Sequence, residues 1–151
     1  MYTNQKGFTL IEILIAMAIV AILSAGVLVG LNPVRAKARD ARRISDLRQV
    51  QTGLELYFSK SGQYPPAVGT GASNWEQLKS DLTGAGIGVS TIPQDPNPGA
   101  SYEYGVDFGQ SNYVLKAVLE TPDQVLNDDI DGQSANGTNL NCEDPAYCIG
   151  L

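Results

Sequence analysis

The chain of 151 residues contains no histidine and only two cysteines. Because structural zinc sites are built mainly from four cysteine and histidine side chains, this scarcity argues strongly against a zinc protein. A serine hydrolase of the triad type needs a histidine base, and the G-x-S-x-G motif is also missing. The sequence therefore argues against a membrane-anchored hydrolase and in favour of a protein without catalytic chemistry.

Charge is distributed unevenly along the chain. Residues 1–31 hold one basic and one acidic residue, residues 32–60 hold seven basic and three acidic, and residues 61–151 hold two basic and twelve acidic. We call residues 32–60 the basic collar. An apolar stretch, a basic collar and an acidic remainder are more typical of a protein standing on a membrane than of a nucleic-acid binder.

The two cysteines, Cys142 and Cys148, lie close together near the C-terminus. A disulfide that closes a short loop is the favoured interpretation, and it implies an oxidising compartment. The alternative is a pair of reduced thiols in a cytosolic tail.

A long apolar run extends from Phe8 to Leu31 and is free of charge from Ile13 onward. About 20 apolar residues suffice for a helix to span a bilayer, and the run is too long for an ordinary cleaved signal peptide. Glu12 lies near its start, although a carboxylate at a bilayer centre costs roughly 2.5–3.5 kcal/mol. A charge in this position calls for a functional explanation.

The stretch KGFTLIE, residues 6–12, followed by an apolar helix resembles the N-terminus of type IV pilins and type II secretion pseudopilins. The resemblance implies that a dedicated membrane peptidase, the prepilin peptidase, cuts between Gly7 and Phe8 on the cytoplasmic side. It also implies methylation of the new terminus at Phe8, so that residues 1–7 are a leader peptide.

The resemblance also suggests a role for Glu12. After cleavage, Phe8 carries a positive α-amino group, which Glu12 can pair with on the same helix or on a neighbouring subunit. A buried ion pair costs much less than a lone buried ion, so this contact would set the register of assembly. The alternative is a carboxylate that merely favours the start of a helix.

The expected fold is α+β and pilin-like, with a long N-terminal helix packed on a small antiparallel sheet. Residues 8–31 form its transmembrane or filament-core half, residues 32–61 its amphipathic half, and residues 62–151 an αβ-loop, the sheet and a C-terminal loop. Gly30 and Pro33 predict a kink or local melting, because proline removes one helix hydrogen bond. The spacing of apolar residues also predicts one buried helical face, with the arginines on the other faces of the helix. This buried stripe consists of Ala41, Ile44, Leu47, Val50, Leu54 and Phe58.

In the last part of the chain, we expect a helix of roughly residues 74–82 and strands at 102–106 and 113–119. The acidic segment with Asp128, Asp129 and Asp131 is the one candidate cofactor site, for Ca²⁺. Its spacing is not that of an EF-hand, but major pseudopilins hold calcium in a comparable loop. The alternative is a solvated acidic turn.

The favoured function is a structural subunit of a type IV pilus or pseudopilus, which polymerises through its N-terminal helix into a helical homo-oligomer. Its partners would be the prepilin peptidase, the assembly machinery and the membrane. Before assembly it would cross the cytoplasmic membrane once with the C-terminal part outside, as the cysteines favour and the positive-inside rule opposes. Alternatives are the major pseudopilin of a secretion or DNA-uptake system, DNA binding by the collar, and a membrane-tethered ligand-binding module.

Overall fold

The structure is a computed structural model that describes residues 7–67, 72–132 and 137–151, without the side chains of residues 25–31, 72 and 73. A long helix comes first, a short helix follows, and a small sheet completes an α+β fold of the expected kind. The predicted leader lies outside these residues apart from Gly7. The elements are α1 (Leu10–Ser61), α2 (Ala72–Gly84), β1 (Glu103–Val106), β2 (Tyr113–Val118), a 3₁₀ helix (Gln124–Asn127) and β3 (Ala146–Gly150).

The chain divides into two compact units, Met1–Arg35 and Ala36–Leu151. We call the second unit the body. In the first unit, the described residues form the N-terminal part of α1 and three residues before it. Within the described part of the chain, no helix is both long and apolar enough to cross a membrane.

The body contains an antiparallel three-stranded sheet in the order β1-β2-β3. Tyr104 of β1 lies opposite Leu115 of β2, and Ala117 of β2 lies opposite Tyr147 of β3. The first two strands match the predicted ones to within one residue at each end. The third was not predicted, because Ala146–Gly150 is a short run at the chain end that only pairing with β2 extends into a strand.

The core of the body lies between the sheet, α2 and one face of α1. Leu47, Val50 and Leu54 of α1 are at most 1% exposed, as the predicted stripe requires. The prediction was wrong at both ends of the stripe, where Ala41 is exposed and Phe58 lies at the edge of the core, stacked on Tyr64.

The helix α1 ends where the sequence predicts. Gly62 adopts a positive φ of 75° and its N–H donates to the carbonyl of Phe58 at 2.8 Å. A glycine in this left-handed conformation satisfies a carbonyl of the last turn without the steric penalty of a Cβ atom. The chain then turns back toward α2.

Candidate functional site

The first candidate site is the start of α1. Gly7 and Phe8 are exposed, Phe8 to 86%, and they precede the first helical residue, Leu10. The bond between Gly7 and Phe8 is therefore accessible in extended or irregular backbone, as a peptidase requires. Its cleavage is not tested by the structure and stays a prediction.

Glu12 and Thr9 form a reciprocal cap at this helix start. The Thr9 N–H and hydroxyl both donate to Glu12 Oε2, at 2.8 and 2.7 Å, and the Glu12 N–H lies 3.4 Å from the Thr9 hydroxyl. This is the capping-box arrangement, in which two helix-terminal N–H groups find side-chain acceptors. Sequence reasoning missed the role of Thr9, although the Thr-x-x-Glu spacing is typical of such a cap. In the single uncleaved chain, the Glu12 carboxylate is thus already bound locally.

The turns that follow expose almost all of their apolar side chains. Large apolar residues between positions 10 and 23 are 52–79% exposed. Side chains that are apolar around the whole helix need cover from another molecule or from lipid. These residues are Leu10, Ile11, Ile13, Leu14, Ile15, Met17, Ile19, Val20, Ile22 and Leu23.

Pro33 lies inside α1, which is helical without interruption from Leu10 to Ser61. Local melting at residues 30–33 is therefore not observed in the single chain. A kink at Gly30 and Pro33 stays a prediction.

A buried charge cluster joins α1 to the rest of the body. Arg43 is 1% exposed, which contradicts the expectation that the arginines lie on the outer faces of the helix. Its Nε and Nη2 donate to the two carboxylate oxygens of Asp95, at 2.7 and 2.9 Å. Its Nη1 donates to Asp40 at 2.7 Å and to Glu120 at 2.8 Å. These contacts explain the burial, because a buried cation is tolerated only with charged or hydrogen-bonding partners.

The same cluster continues to the surface through Arg39, which forms a bidentate pair with Glu120. Hydrogen bonds from Arg39 and then Arg43 lower the pKa of Glu120 from its ordinary 4.5 to about 2. The hydrogen bonds to Asp95 are the main cause of the raised pKa of Arg43. The charges of Glu120 and Arg43 therefore persist throughout the physiological range of pH.

The basic collar is thus partly neutralised within its own chain. Arg39 is paired with Glu120 and Arg43 with Asp40, and Arg42 Nε lies 3.6 Å from Asp46 Oδ2. Pairing with acidic groups removes much of the net positive potential on which phosphate binding depends. This arrangement weakens the DNA-binding alternative.

The predicted disulfide is confirmed. Cys142 and Cys148 are bonded, and both are fully buried beside Val114 and Leu140. Since Cys148 belongs to β3, the bond ties the segment before β3 to the sheet.

The acidic segment lies against this disulfide. Asp129 Oδ2 accepts the Cys148 N–H at 2.8 Å, whereas Asp129 Oδ1 is buried and has no hydrogen-bond partner among the residues that the structure describes. Burial is the main cause of the raised pKa of Asp129. Asp128 and Asp131 are exposed, and the described residues form no group of three or more histidine, cysteine or acidic side chains suited to a metal ion. Asp129 thus offers one oxygen atom that suits a metal ion, but the described residues around it do not complete a set of metal ligands.

Comparison with known proteins agrees with the geometry of the N-terminus. The family described as "Prokaryotic N-terminal methylation motif" matches residues 2–28, which include the Gly7–Phe8 junction and Glu12. No solved structure shows a significant match to the chain.

Curated relatives extend the similarity into the body. The chain is 28% identical to type II secretion system core protein G of Aeromonas hydrophila, over 62% of this chain and 68% of that protein. It is 23% identical to the toxin coregulated pilin of Vibrio cholerae, over 71% of this chain and 53% of that protein. It is 33% identical to a fimbrial protein of Neisseria meningitidis, over 60% of this chain and 45% of that protein. The chain thus spans about half the length of the two pilus proteins.

The methylation motif, the long N-terminal helix on a small antiparallel sheet and relatives of both kinds agree with one another. The chain carries the prokaryotic N-terminal methylation motif and is similar to type IV pilins and type II secretion pseudopilins.

Proposed function

We propose that the protein is a structural subunit of a type IV pilus or pseudopilus and that its activity is polymerisation. The observation that carries the proposal is the match of residues 2–28 to the methylation motif, at a place where Gly7 and Phe8 are exposed. Polymerisation requires no catalytic residue, which agrees with a chain that lacks histidine.

Cleavage after Gly7 prepares the subunit for assembly. It removes the leader and places a positive α-amino group on Phe8, four residues before Glu12. In a filament core formed by apolar helices, that group and the Glu12 carboxylate would each be costly alone and far less costly as a pair. The Glu12 carboxylate would then exchange the neutral donors of Thr9 for a group of opposite charge.

Before assembly, the apolar part of α1 would anchor the subunit in the cytoplasmic membrane, with the body outside. The disulfide supports this orientation, since such bonds persist in oxidising compartments. The prepilin peptidase and a dedicated assembly machinery are the partners that the family relationship supports.

Mass spectrometry of the assembled protein tests the proposal. We expect an N-terminal Phe8 that is heavier by one methyl group. A control chain with Gly7→Val should keep residues 1–7 and form no filament, because the larger side chain blocks cleavage at the junction. An intact Met1 terminus on polymerised wild-type protein would refute the proposal.

A pseudopilus is the second candidate. Core protein G of a type II secretion system is among the relatives, and for Aeromonas hydrophila the similarity covers 68% of that protein. Imaging of cells at native expression levels separates the candidates. Long surface filaments that carry this subunit indicate a pilus, whereas secretion that depends on the subunit without such filaments indicates a pseudopilus.

A further inference from the structure

The turn between β1 and β2 presents an isolated aromatic ring to solvent. Phe108 is 106% exposed, as much as in an open peptide. The turn around it is nonetheless well braced. The Asp107 carboxylate accepts the N–H groups of Ser111 and Asn112 at 2.8 and 3.1 Å, and the carbonyl of Gln110 accepts the Tyr64 N–H at 3.0 Å. An exposed aromatic side chain on a braced turn needs little further ordering of the backbone on binding. Such a side chain is a typical anchor of protein interfaces.

An apolar groove lies elsewhere on the body. It has a volume of about 360 Å³ and is bounded by the C-terminal half of α1, the end of α2 and residues 88–93. Leu56, on its rim, is 48% exposed. The remaining apolar side chains in the groove are Val50, Leu82, Val89, Ile92 and Pro93.

We call the turn between β1 and β2, residues 107–112, the tip. The tip and the groove share no residue, and the exposure of Phe108 shows that its ring is not in the groove of its own chain. Contact between them needs a second copy. Such a contact joins two different surfaces, so a row of copies keeps a free tip at one end and a free groove at the other. Contacts of this kind generate open helical polymers when the rotation does not close a ring.

Charge complements this contact. Hydrogen bonds from the Asn112 side chain and neighbouring groups hold the pKa of Asp107, next to Phe108, at about 2. Arg48 lies one helical turn before groove residue Thr52, whose hydroxyl donates to the Arg48 carbonyl. Arg48 is exposed and forms no ion pair with the residues that the structure describes. A carboxylate on the tip and an exposed guanidinium beside the groove are complementary charges.

We propose that the tip of one subunit docks Phe108 into this groove of a second copy, with Asp107 facing Arg48. The inference rests on the proposed polymerisation and adds to it a defined contact between bodies, separate from the packing of the N-terminal helices. Phe108 is the anchor of this contact, and Leu56 is its partner on the rim.

Cysteine cross-linking in assembled filaments tests the contact. Full-length Phe108→Cys and Leu56→Cys chains are co-expressed with excess wild-type chain, so that polymers form even if either change weakens assembly. The native cysteines are bonded to each other and do not compete. Mild oxidation should join Phe108→Cys to Leu56→Cys chains. A matched control replaces Leu56→Cys with Ser61→Cys, an exposed position at the end of the same helix, outside the groove and on a different face from Leu56.

The expected yield of cross-linked pairs is about tenfold above that of the control. Equal yields in normal filaments would overturn the contact, and so would dimers of Phe108→Cys chains alone, which indicate a tip-to-tip arrangement. Independently, Phe108→Ser should lower filament yield about tenfold while Phe108→Leu keeps it, as expected for an apolar anchor. Leader removal in the same samples reports on the proposed function separately. If the wild-type chain is neither processed nor polymerised, the proposed function itself fails.

Discussion

The two halves of α1 differ in apolar content and in surroundings, since residues 10–35 contain 19 apolar side chains and residues 36–61 contain ten. In the first half, the large apolar side chains from Leu10 to Leu23 are at least 52% exposed. In the second half, Leu47, Val50 and Leu54 are at most 1% exposed, because the sheet and α2 cover them. The second half completes its packing within the chain. The first half has apolar surface to offer to lipid or to other subunits.

Charged groups differ between the halves in the same way. Among the described residues, the exposed carboxylate of Glu12 is bound by Thr9 alone, three residues away, and it can exchange that partner. Arg43 is buried and bound to carboxylates up to 77 residues away. Glu12 is therefore free to change partners in an assembly, as proposed, whereas Arg43 is committed to the fold of the body.

The largest effect should come from Glu12→Ala. In the processed subunit, this change leaves the α-amino group of Phe8 without a partner in the filament core, so we expect filament yield to fall about a hundredfold or more. Leader removal and the stability of the body should not change. Electron microscopy and mass spectrometry of the same cells measure both.

Thr9→Ala is the matched control for this change. It removes the cap, at about 1 kcal/mol of helix stability, but keeps the carboxylate. Normal assembly of Glu12→Ala, or equal defects in the two variants, would contradict the role of Glu12 in pairing.

Within the body, Arg43→Met should cause the largest loss of stability. It leaves the buried carboxylates of Asp40 and Asp95 without their cation, which costs about 3–5 kcal/mol of unfolding free energy. Trp75, the only tryptophan, is buried and reports unfolding in urea by its fluorescence in detergent-solubilised full-length protein. Arg42→Met, at a more exposed pair, should change the free energy by less than about 1 kcal/mol. Equal losses in the two variants would show that burial of the cluster is unimportant.

Loss of the disulfide should have a somewhat smaller effect. Replacing both cysteines by serine frees the segment before β3, and for so short a loop we expect a loss of roughly 2–3 kcal/mol. The same urea titration measures it. A reducing agent should destabilise the wild-type protein and leave the double variant unchanged. An unaffected wild-type protein would contradict a stabilising role.

Acid should weaken the body through Glu120. Its pKa is about 2 in the folded chain, against an ordinary 4.5, so its contribution to stability is complete above pH 4.5 and is lost as pH falls toward 2. Glu120→Gln should therefore flatten the dependence of stability on pH in this window. Glu143→Gln, at an exposed position, should leave the dependence as it is. If stability falls in parallel with pH for the wild type and Glu120→Gln, this would count against the contacts of Glu120 with Arg39 and Arg43.

The smallest expected effect concerns calcium. An ion that binds only the folded body raises its melting temperature, by a few degrees for a site filled well above its Kd. Asp129 is the residue that fits best, since one of its oxygens is buried and no described residue forms a hydrogen bond with it. Melting in calcium and in chelator should differ for the wild type and coincide for Asp129→Asn, which keeps an acceptor for the Cys148 N–H. Coincident wild-type curves would leave the segment as an ordinary acidic turn.

Sequence reasoning succeeded where the signal is local. The helix end at Gly62, β1 and β2 around their turn, and the disulfide between nearby cysteines all follow from short-range patterns. It failed for Arg43, because an arginine in a helix with several others gives no local sign of burial. It also missed β3, whose pairing with β2 joins residues about 30 positions apart.

The sequence alone determined the position of Glu12 and the division into apolar, basic and acidic parts, and it alone predicts the processing junction, because these depend only on the order of residues. The tertiary structure decided which charges are used up inside the subunit and which stay available. Asp95 and Glu120 lie 52 and 77 residues from Arg43 in the chain, and only folding brings them to within 2.9 Å of its guanidinium. The energy of a charge depends on its burial and its neighbours, and neither can be read from a linear pattern.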